Sequence, residues 1–177
     1  MSRKYLNGRY CVRCNRCGPT PYLRDNVAIL TKGFSRYPYD GAAVVDIGCG
    51  NGRNSRFMAE VPGVKFMAAL DMAGDYGTKT VLGVGKMPVP DGSADIVLCN
   101  YLLMFLSPKE RNQALCEIER IAKPGCRIVV ELYPAKDSYA KTEADMLRMQ
   151  KDIFRKLGWG KIRYSKGRFI AQKGLLV

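Results

Sequence analysis

The stretch "VVDIGCGNGRN", residues 44–54, runs an apolar strand pattern into glycines at positions 48, 50 and 52. A strand that turns into a helix over so few residues needs backbone conformations with positive φ, which glycine alone adopts at little steric cost. The helix beyond the turn presents amide N–H groups without intrahelical partners, and these suit a carboxylate or a phosphate. The spacing also excludes one ligand class. A dinucleotide fingerprint, Gly-x-Gly-x-x-Gly, requires glycine at position 53, where Arg53 stands. The pattern present is Gly48-x-Gly50-x-Gly52, with Asp46 inside the preceding strand. It is either a tight turn without a ligand or a turn shaped for a nucleoside other than NAD.

The rest of the chain alternates strand and helix patterns, which means an α/β sheet, parallel in its main part. Strands are expected at Ala43–Ile47, Val64–Leu70, Thr80–Val84, Asp95–Asn100 and Arg127–Leu132, with a final hairpin around Lys166-Gly167. Helices are expected at Asn51–Glu60, Pro108–Ala122 with Ser107 as N-cap, and Tyr139–Leu157, the second stopped by Pro124-Gly125. Only eight residues separate Asp71 from Thr80. A parallel crossover usually takes a dozen or more, so the helix of the second crossover is expected to be reduced to a turn. At 177 residues the chain is sized for one domain.

With those elements placed, "VVDIGCGNGRNSRFM" resembles motif I of the class I S-adenosylmethionine-dependent methyltransferases, and its "GNGRNS" form is similar to that of the tellurite-resistance-type members. "MPVPDGSADIVLCNYLLMFL" and "ALCEIERIAKPGCRIVVELY" resemble the fourth strand and the helix and fifth strand of these enzymes, so the likeness covers about residues 42–133. It implies a Rossmann-like sheet of seven strands in the order 3-2-1-4-5-7-6, with an antiparallel last strand and helices on both faces. It implies S-adenosylmethionine as cofactor, its methionine part held by Asp46, Gly48, Cys49, Gly50, Asn51 and Gly52. Asp71 would bind the ribose hydroxyls, for which a carboxylate's acceptor-only oxygens suit a diol, with Met72 beside the adenine. Where many relatives carry an Asp that accepts from the adenine amine, this chain has Gly83, so the backbone near Gly85, Lys86 and Met87 is expected to stand in. Asn100 and Tyr101 close the cofactor set.

Methyl transfer is an in-line displacement that depends chiefly on alignment, so a strong protein base is not always required. The base candidates, at the carboxyl ends of the strands, are Tyr101, Glu131 and Tyr133. Cys49 and Cys99 read as small core residues beside the pocket. The chain has no His, and "CNYL" lacks the prolines of an Asn-Pro-Pro-Tyr motif, so amino-base methylation of DNA gains no direct support.

The formal charge of +13 is concentrated at the ends: residues 1–36 hold eight Lys and Arg against Asp25 alone, and residues 148–177 hold nine against Asp152 alone. Such ends are either a solvated surface or a surface for polyanions. Residues 1–36 are expected to form a basic, Cys-rich arm packed on or over the cleft, and residues 37–177 the methyltransferase domain. Arg13, Arg16, Arg24, Lys32, Arg36, Lys161, Arg163 and Arg168 would then line one path for a nucleic acid, favoured over a small-molecule acceptor. The competing reading is a methyltransferase-fold binding module for nucleic acid or protein. In "CVRCNRCG", Cys11, Cys14 and Cys17 are spaced like half of a zinc knuckle, yet a tetrahedral Zn²⁺ needs a fourth ligand. No apolar run is long enough for a membrane span, and "MSRKYLNGRY" lacks a signal-peptide core, so the expected location is the cytoplasm with reduced thiols.

Overall fold

A computed structural model of the chain describes residues 18–34, 41–72, 78–79 and 86–174. The elements follow in the order α1 (Pro21–Thr31), β1 (Ala42–Ile47), α2 (Arg53–Ala59), β2 (Val64–Asp71), β3 (Thr78–Lys79), β4 (Ala94–Asn100), α3 (Pro108–Ile121), β5 (Ala122–Glu131), α4 (Glu143–Leu157), β6 (Gly160–Ser165) and β7 (Arg168–Gln172). Among the described residues the strands form one seven-stranded sheet, ordered β3-β2-β1-β4-β5-β7-β6. Every pairing from β3 to β5 is parallel, while β7 runs antiparallel to β5 and to β6. This is the order expected from the family likeness.

Alternation along the central strands distributes side chains to two cores. Val44, Ile96, Leu98, Val129 and Ile170 meet α1 and α2 through Leu23, Leu30 and Met58. Val45, Val97, Cys99, Ile128, Val130 and Phe169 meet α3 and α4 through Ala114, Ile118, Met149 and Ile153. Helices therefore cover both faces. Leu23 and Leu30 are fully buried, which ties α1 to the sheet with roughly 1.5–3 kcal/mol per side chain.

The element boundaries differ from the sequence expectation for local reasons. α2 starts at Arg53 rather than Asn51 because Gly52 is left-handed, with φ 75°. α4 starts at Glu143 rather than Tyr139, where Thr142 and Asp145 close a capping box. α3 ends at Ile121 and Ala122 is already extended, so β5 begins five residues before Arg127. Pro124 disfavours a helical residue before it, and the register with β4 shifts between Ala94 and Ile96 to absorb the extra residues. β3 is found at Thr78–Lys79, so positions 72–77 alone link two parallel strands, and the second crossover is even shorter than expected. The strand expected at Thr80–Val84 lies outside the described residues.

Candidate functional site

The glycine turn forms at the carboxyl end of β1. Gly48, Gly50 and Gly52 all have positive φ, at 76°, 55° and 75°. Gly48 and Cys49 both donate their N–H to the carbonyl of Leu70, at 2.8 and 3.0 Å, which pins the turn to the end of β2. A side chain at Gly48 would meet Cβ of Leu102 at 2.9 Å, whereas a Cβ at Gly50 would meet nothing within 4 Å. The turn is therefore packed on one side and open on the other. Across that opening Asp71, half-buried at the end of β2, accepts the Gly50 N–H through Oδ2 at 2.8 Å. Asn51 Oδ1 accepts the N–H of Arg53 at 3.3 Å, and its carbonyl takes Nη1 of Arg56 at 2.8 Å.

Beneath the turn lies Asp46, 1% exposed, accepting Oγ of Ser55 at 2.6 Å. Burial pushes its carboxyl up to about 7; Ser55 opposes that shift and the charge of Asp71 adds to it. Cys49 and Cys99 are buried as expected of small core residues, and burial raises both thiols, Cys49 to about 12.

At the carboxyl ends of β4 and β5 the three base candidates come together. Tyr101 donates its hydroxyl to Glu131 Oε2 at 2.8 Å and its N–H to the Glu131 carbonyl at 2.8 Å, and its ring meets Tyr133 edge-on at 5.2 Å. Among the described residues Tyr101 is the one non-glycine with positive φ, at 62°, a conformation costing of order 1–3 kcal/mol. Glu131 Oε1 accepts Nδ2 of Asn100 at 2.5 Å and the hydroxyl of Thr20. Glu131 is 1% exposed with both oxygens occupied. In this arrangement Glu131 accepts from both Tyr101 and Asn100 and ties the two side chains together. Asn100 Oδ1 is buried without a hydrogen-bond partner.

Residues that sequence reasoning missed complete this end. Thr20 caps α1, donates its N–H to Asn54 Oδ1 at 2.9 Å, and so links α1 and α2 to Glu131. "TP" at 20–21 is an N-cap followed by proline at the first helical position, which is the sequence signal for the start of α1.

The remaining candidates scatter. Met72 is exposed at 48% at the end of β2. Lys86 is exposed and paired with Asp91 at 3.4 Å. Met87 is buried, its N–H spent on Glu117 Oε2 at 2.6 Å and its carbonyl already taking Nη2 of Arg120 at 3.1 Å, so its backbone is committed to α3. Gly83, Gly85, Cys11, Cys14, Cys17, Arg13, Arg16 and Arg36 lie outside the described residues, among which no cluster of His, Cys, Asp or Glu could hold a metal ion. Of the basic path, Arg168 stands opposite Glu131 at the cleft end, whereas Lys161 pairs with Ala171 and Lys32 lies beside Arg127, toward the other end of the strands. The described cations thus spread along the length of the strands rather than gather at the cleft. No helix among the described residues is long and apolar enough to cross a membrane.

A sheet of this order with a glycine turn after β1 and helices on both faces defines the Rossmann-like α/β class. Residues 45–130 match the family described as methyltransferase domain. A protein of Oryza sativa subsp. japonica described as a probable chloroplastic tocopherol O-methyltransferase is 28% identical over 138 residues, which are 66% of this chain and 38% of that protein. The chain thus spans well under half the length of this curated relative. The fold is shared with the Burkholderia thailandensis 1,6-didemethyltoxoflavin-N1-methyltransferase, solved with 1,6-didemethyltoxoflavin and S-adenosylhomocysteine (TM-score 0.61, 18% identity, 87% of this chain and 79% of that one). It is shared also with the N-methyltransferase NodS of Bradyrhizobium japonicum WM9, solved with S-adenosylhomocysteine (TM-score 0.58, 13% identity, 86% and 88%).

Proposed function

We propose that the chain binds S-adenosylmethionine in the opening between the β1–α2 turn and the end of β2 and transfers its methyl group to an acceptor above β4 and β5. The observation that carries this reading is the space over Gly50 with the half-buried Asp71 carboxylate 2.8 Å from the Gly50 amide. A nucleoside needs such a backbone approach, and an ionised carboxylate accepts at two oxygens, the number of hydroxyls a ribose diol donates. Asp46 acts from below, where its buried carboxyl favours a cationic group near the turn. The left-handed glycines shape the turn, which the Leu70 carbonyl holds through the Gly48 and Cys49 amides, and Cys49 and Asn51 complete the rim of the opening. When bound, the cofactor supplies an electrophilic methyl group on a sulfonium.

On the acceptor side, Glu131 holds Tyr101 and Asn100 in fixed orientation, and Tyr133 supports the Tyr101 ring. Alignment rather than proton abstraction is their contribution. The acceptor is proposed to be a nucleic acid, because Arg163 and Arg168 are exposed on the hairpin at one edge of the sheet, Arg24 is exposed on α1, and Arg168 stands at the cleft end. Residues 1–36 are proposed to act as an arm at the cleft, since Thr20 anchors its described part to Glu131 and Asn54. A second reading, a cofactor-binding module without transfer, is favoured by one observation: the buried carboxylate at the strand ends is fully occupied by donors.

Calorimetry tests the first step. S-adenosylmethionine and S-adenosylhomocysteine should bind and NAD should bind far more weakly; tight NAD binding without heat from either sulfur compound overturns the assignment. Radiolabelled methyl transfer to RNA, DNA, protein or small-molecule pools then separates enzyme from module.

A further inference from the structure

On the face of the sheet that carries α3 and α4, a groove of about 520 Å³ opens between the two helices, lined by Arg111, Tyr139, Arg148 and Lys151 among others. It shares no residue with the glycine turn, Asp71 or the Glu131 cluster. Its floor holds an unusual charge. Arg111 is only 7% exposed, and it donates Nε to the Leu103 carbonyl and Nη2 to the Leu106 carbonyl, both at 3.1 Å. Carbonyls satisfy N–H groups but do not neutralise a guanidinium, and a buried charge without a counter-charge is costly. No described carboxylate lies within ion-pair distance of it; burial draws its pKa down, and the charge of Asp152, itself engaged by Arg155 and Lys156, opposes that shift.

The carboxylates that also line the groove are already engaged. Asp145 caps α4, accepting the N–H and hydroxyl of Thr142 at 3.0 and 2.7 Å. Asp152 bonds Arg155 at 3.0 Å and Lys156 at 2.9 Å. Arg148 reaches Asp145 only at 3.7 Å, and Lys151 is exposed without an ion-pair partner among the described residues. The groove therefore has an excess of cation around one buried guanidinium. Beside it stands the ring of Tyr139, 55% exposed, its position fixed by an N–H bond to the Met104 carbonyl at 2.8 Å.

We propose that this groove is a second ligand site, taking a phosphate monoester that carries a nucleobase, with the phosphate on Arg111, Arg148 and Lys151 and the base against Tyr139. A guanidinium fork matches phosphate oxygens two at a time, and an exposed aromatic ring stacks any base. The volume falls within the range of small-molecule sites. The same chemistry is offered by a free mononucleotide and by the phosphorylated 5′ end of a single strand.

Calorimetric titration of the full chain with UMP, ribose 5-phosphate and a 5′-phosphorylated hexanucleotide tests the site, using a pyrimidine so that the adenosine-shaped cleft does not compete. UMP should bind saturably, and R148E and K151E should each weaken it at least tenfold. Y139A should weaken UMP while leaving ribose 5-phosphate unchanged, and K65E, on β2 and outside the groove, should change nothing. Tighter binding of the hexanucleotide than of UMP identifies a strand end as the ligand, and the reverse identifies a free nucleotide. Absence of saturable UMP binding, or binding unmoved by both R148E and K151E, overturns the proposal. S-adenosylhomocysteine titrated on the same samples reports on the cofactor cleft separately, so either site can fail without the other.

Discussion

Asp46 and Glu131 are buried to the same extent, each 1% exposed, near the carboxyl ends of β1 and β5, yet their surroundings differ. One hydroxyl, that of Ser55, faces Asp46, and burial pushes its carboxyl up to about 7. Glu131 is met by Thr20 at the start of α1 and by the consecutive residues Asn100 and Tyr101 at the end of β4. Burial alone opposes charge, and the number of donors decides whether that opposition is offset. The β1 end is therefore left responsive to what binds above it, while the β5 end is fastened. Each half of this contrast can be broken separately.

The largest effect is expected at the fastened end. Glu131→Ala leaves three donors, two of them buried and one half-buried, without their acceptor, and each buried polar group left unsatisfied costs about 1–3 kcal/mol. For a chain of this size that lowers Tm by roughly 10 °C. Scanning calorimetry of the variant checks it, and a melting point within about 2 °C of wild type would mean that the network does not hold the β4–β5 end.

The responsive end should show itself in pH dependence. A carboxyl with a folded pKa of about 7, above its ordinary value of 3.8, binds more protons folded than unfolded between those limits. Its contribution to stability is present at and below about pH 4 and is lost as pH rises toward 7, with a slope of up to about 1.4 kcal/mol per pH unit. Asp46→Asn stays neutral and should remove that slope. Denaturation midpoints of both proteins from pH 4 to 8 decide it; parallel curves would show that Asp46 does not titrate in this window.

The same contrast explains what the sequence could and could not reveal. The strands and the glycine turn were legible because they depend on local rules, apolar runs of strand length and glycines where φ must be positive, whereas the sheet order came only with the family likeness. Asp71 is legible for the same reason, since it ends a strand. The Glu131 cluster was legible only as a collection of types at strand ends. That Glu131 is sealed by Thr20, 111 positions away in the chain, depends on α1 lying across the sheet, and no periodicity encodes that meeting. Arg111 was hidden in another way. On a helix with apolar Ala114, Leu115 and Ile118 it passes for a surface charge, and its burial follows from carbonyls of the 103–106 loop that only the fold brings to it.

Asp71 sharpens the contrast through binding rather than stability. Asp71→Ala removes the acceptors for a ribose diol, worth about 1.5–3 kcal/mol for bonds to a charged group. Affinity for S-adenosylhomocysteine should fall about tenfold to a hundredfold, with the melting point nearly unchanged. Titration calorimetry measures it, and unaltered affinity would place the nucleoside elsewhere.

The smallest effect on the fold, and the sharpest on the acceptor reading, is expected at the exposed edge. Arg163 and Arg168 lie on the hairpin strands next to β5, and both influence Tyr22 of α1, so they face the α1 side together. Arg168 is level with Glu131 at the cleft end. A strand of nucleic acid reaching the cleft along this edge would have its phosphates neutralised there, and its binding constant should fall with salt at about 0.7–0.9 logarithmic units per contact. Reversing both charges should flatten that dependence by roughly two units. Neither residue is buried, so stability should move by less than about 0.5 kcal/mol and cofactor affinity not at all. A solubilising surface predicts instead that reversing any exposed pair, such as Lys65 and Lys109, weakens binding equally. Anisotropy titrations across salt on wild type and both double variants separate the two, and equal losses in the variants would leave the basic edge without a role in acceptor recognition.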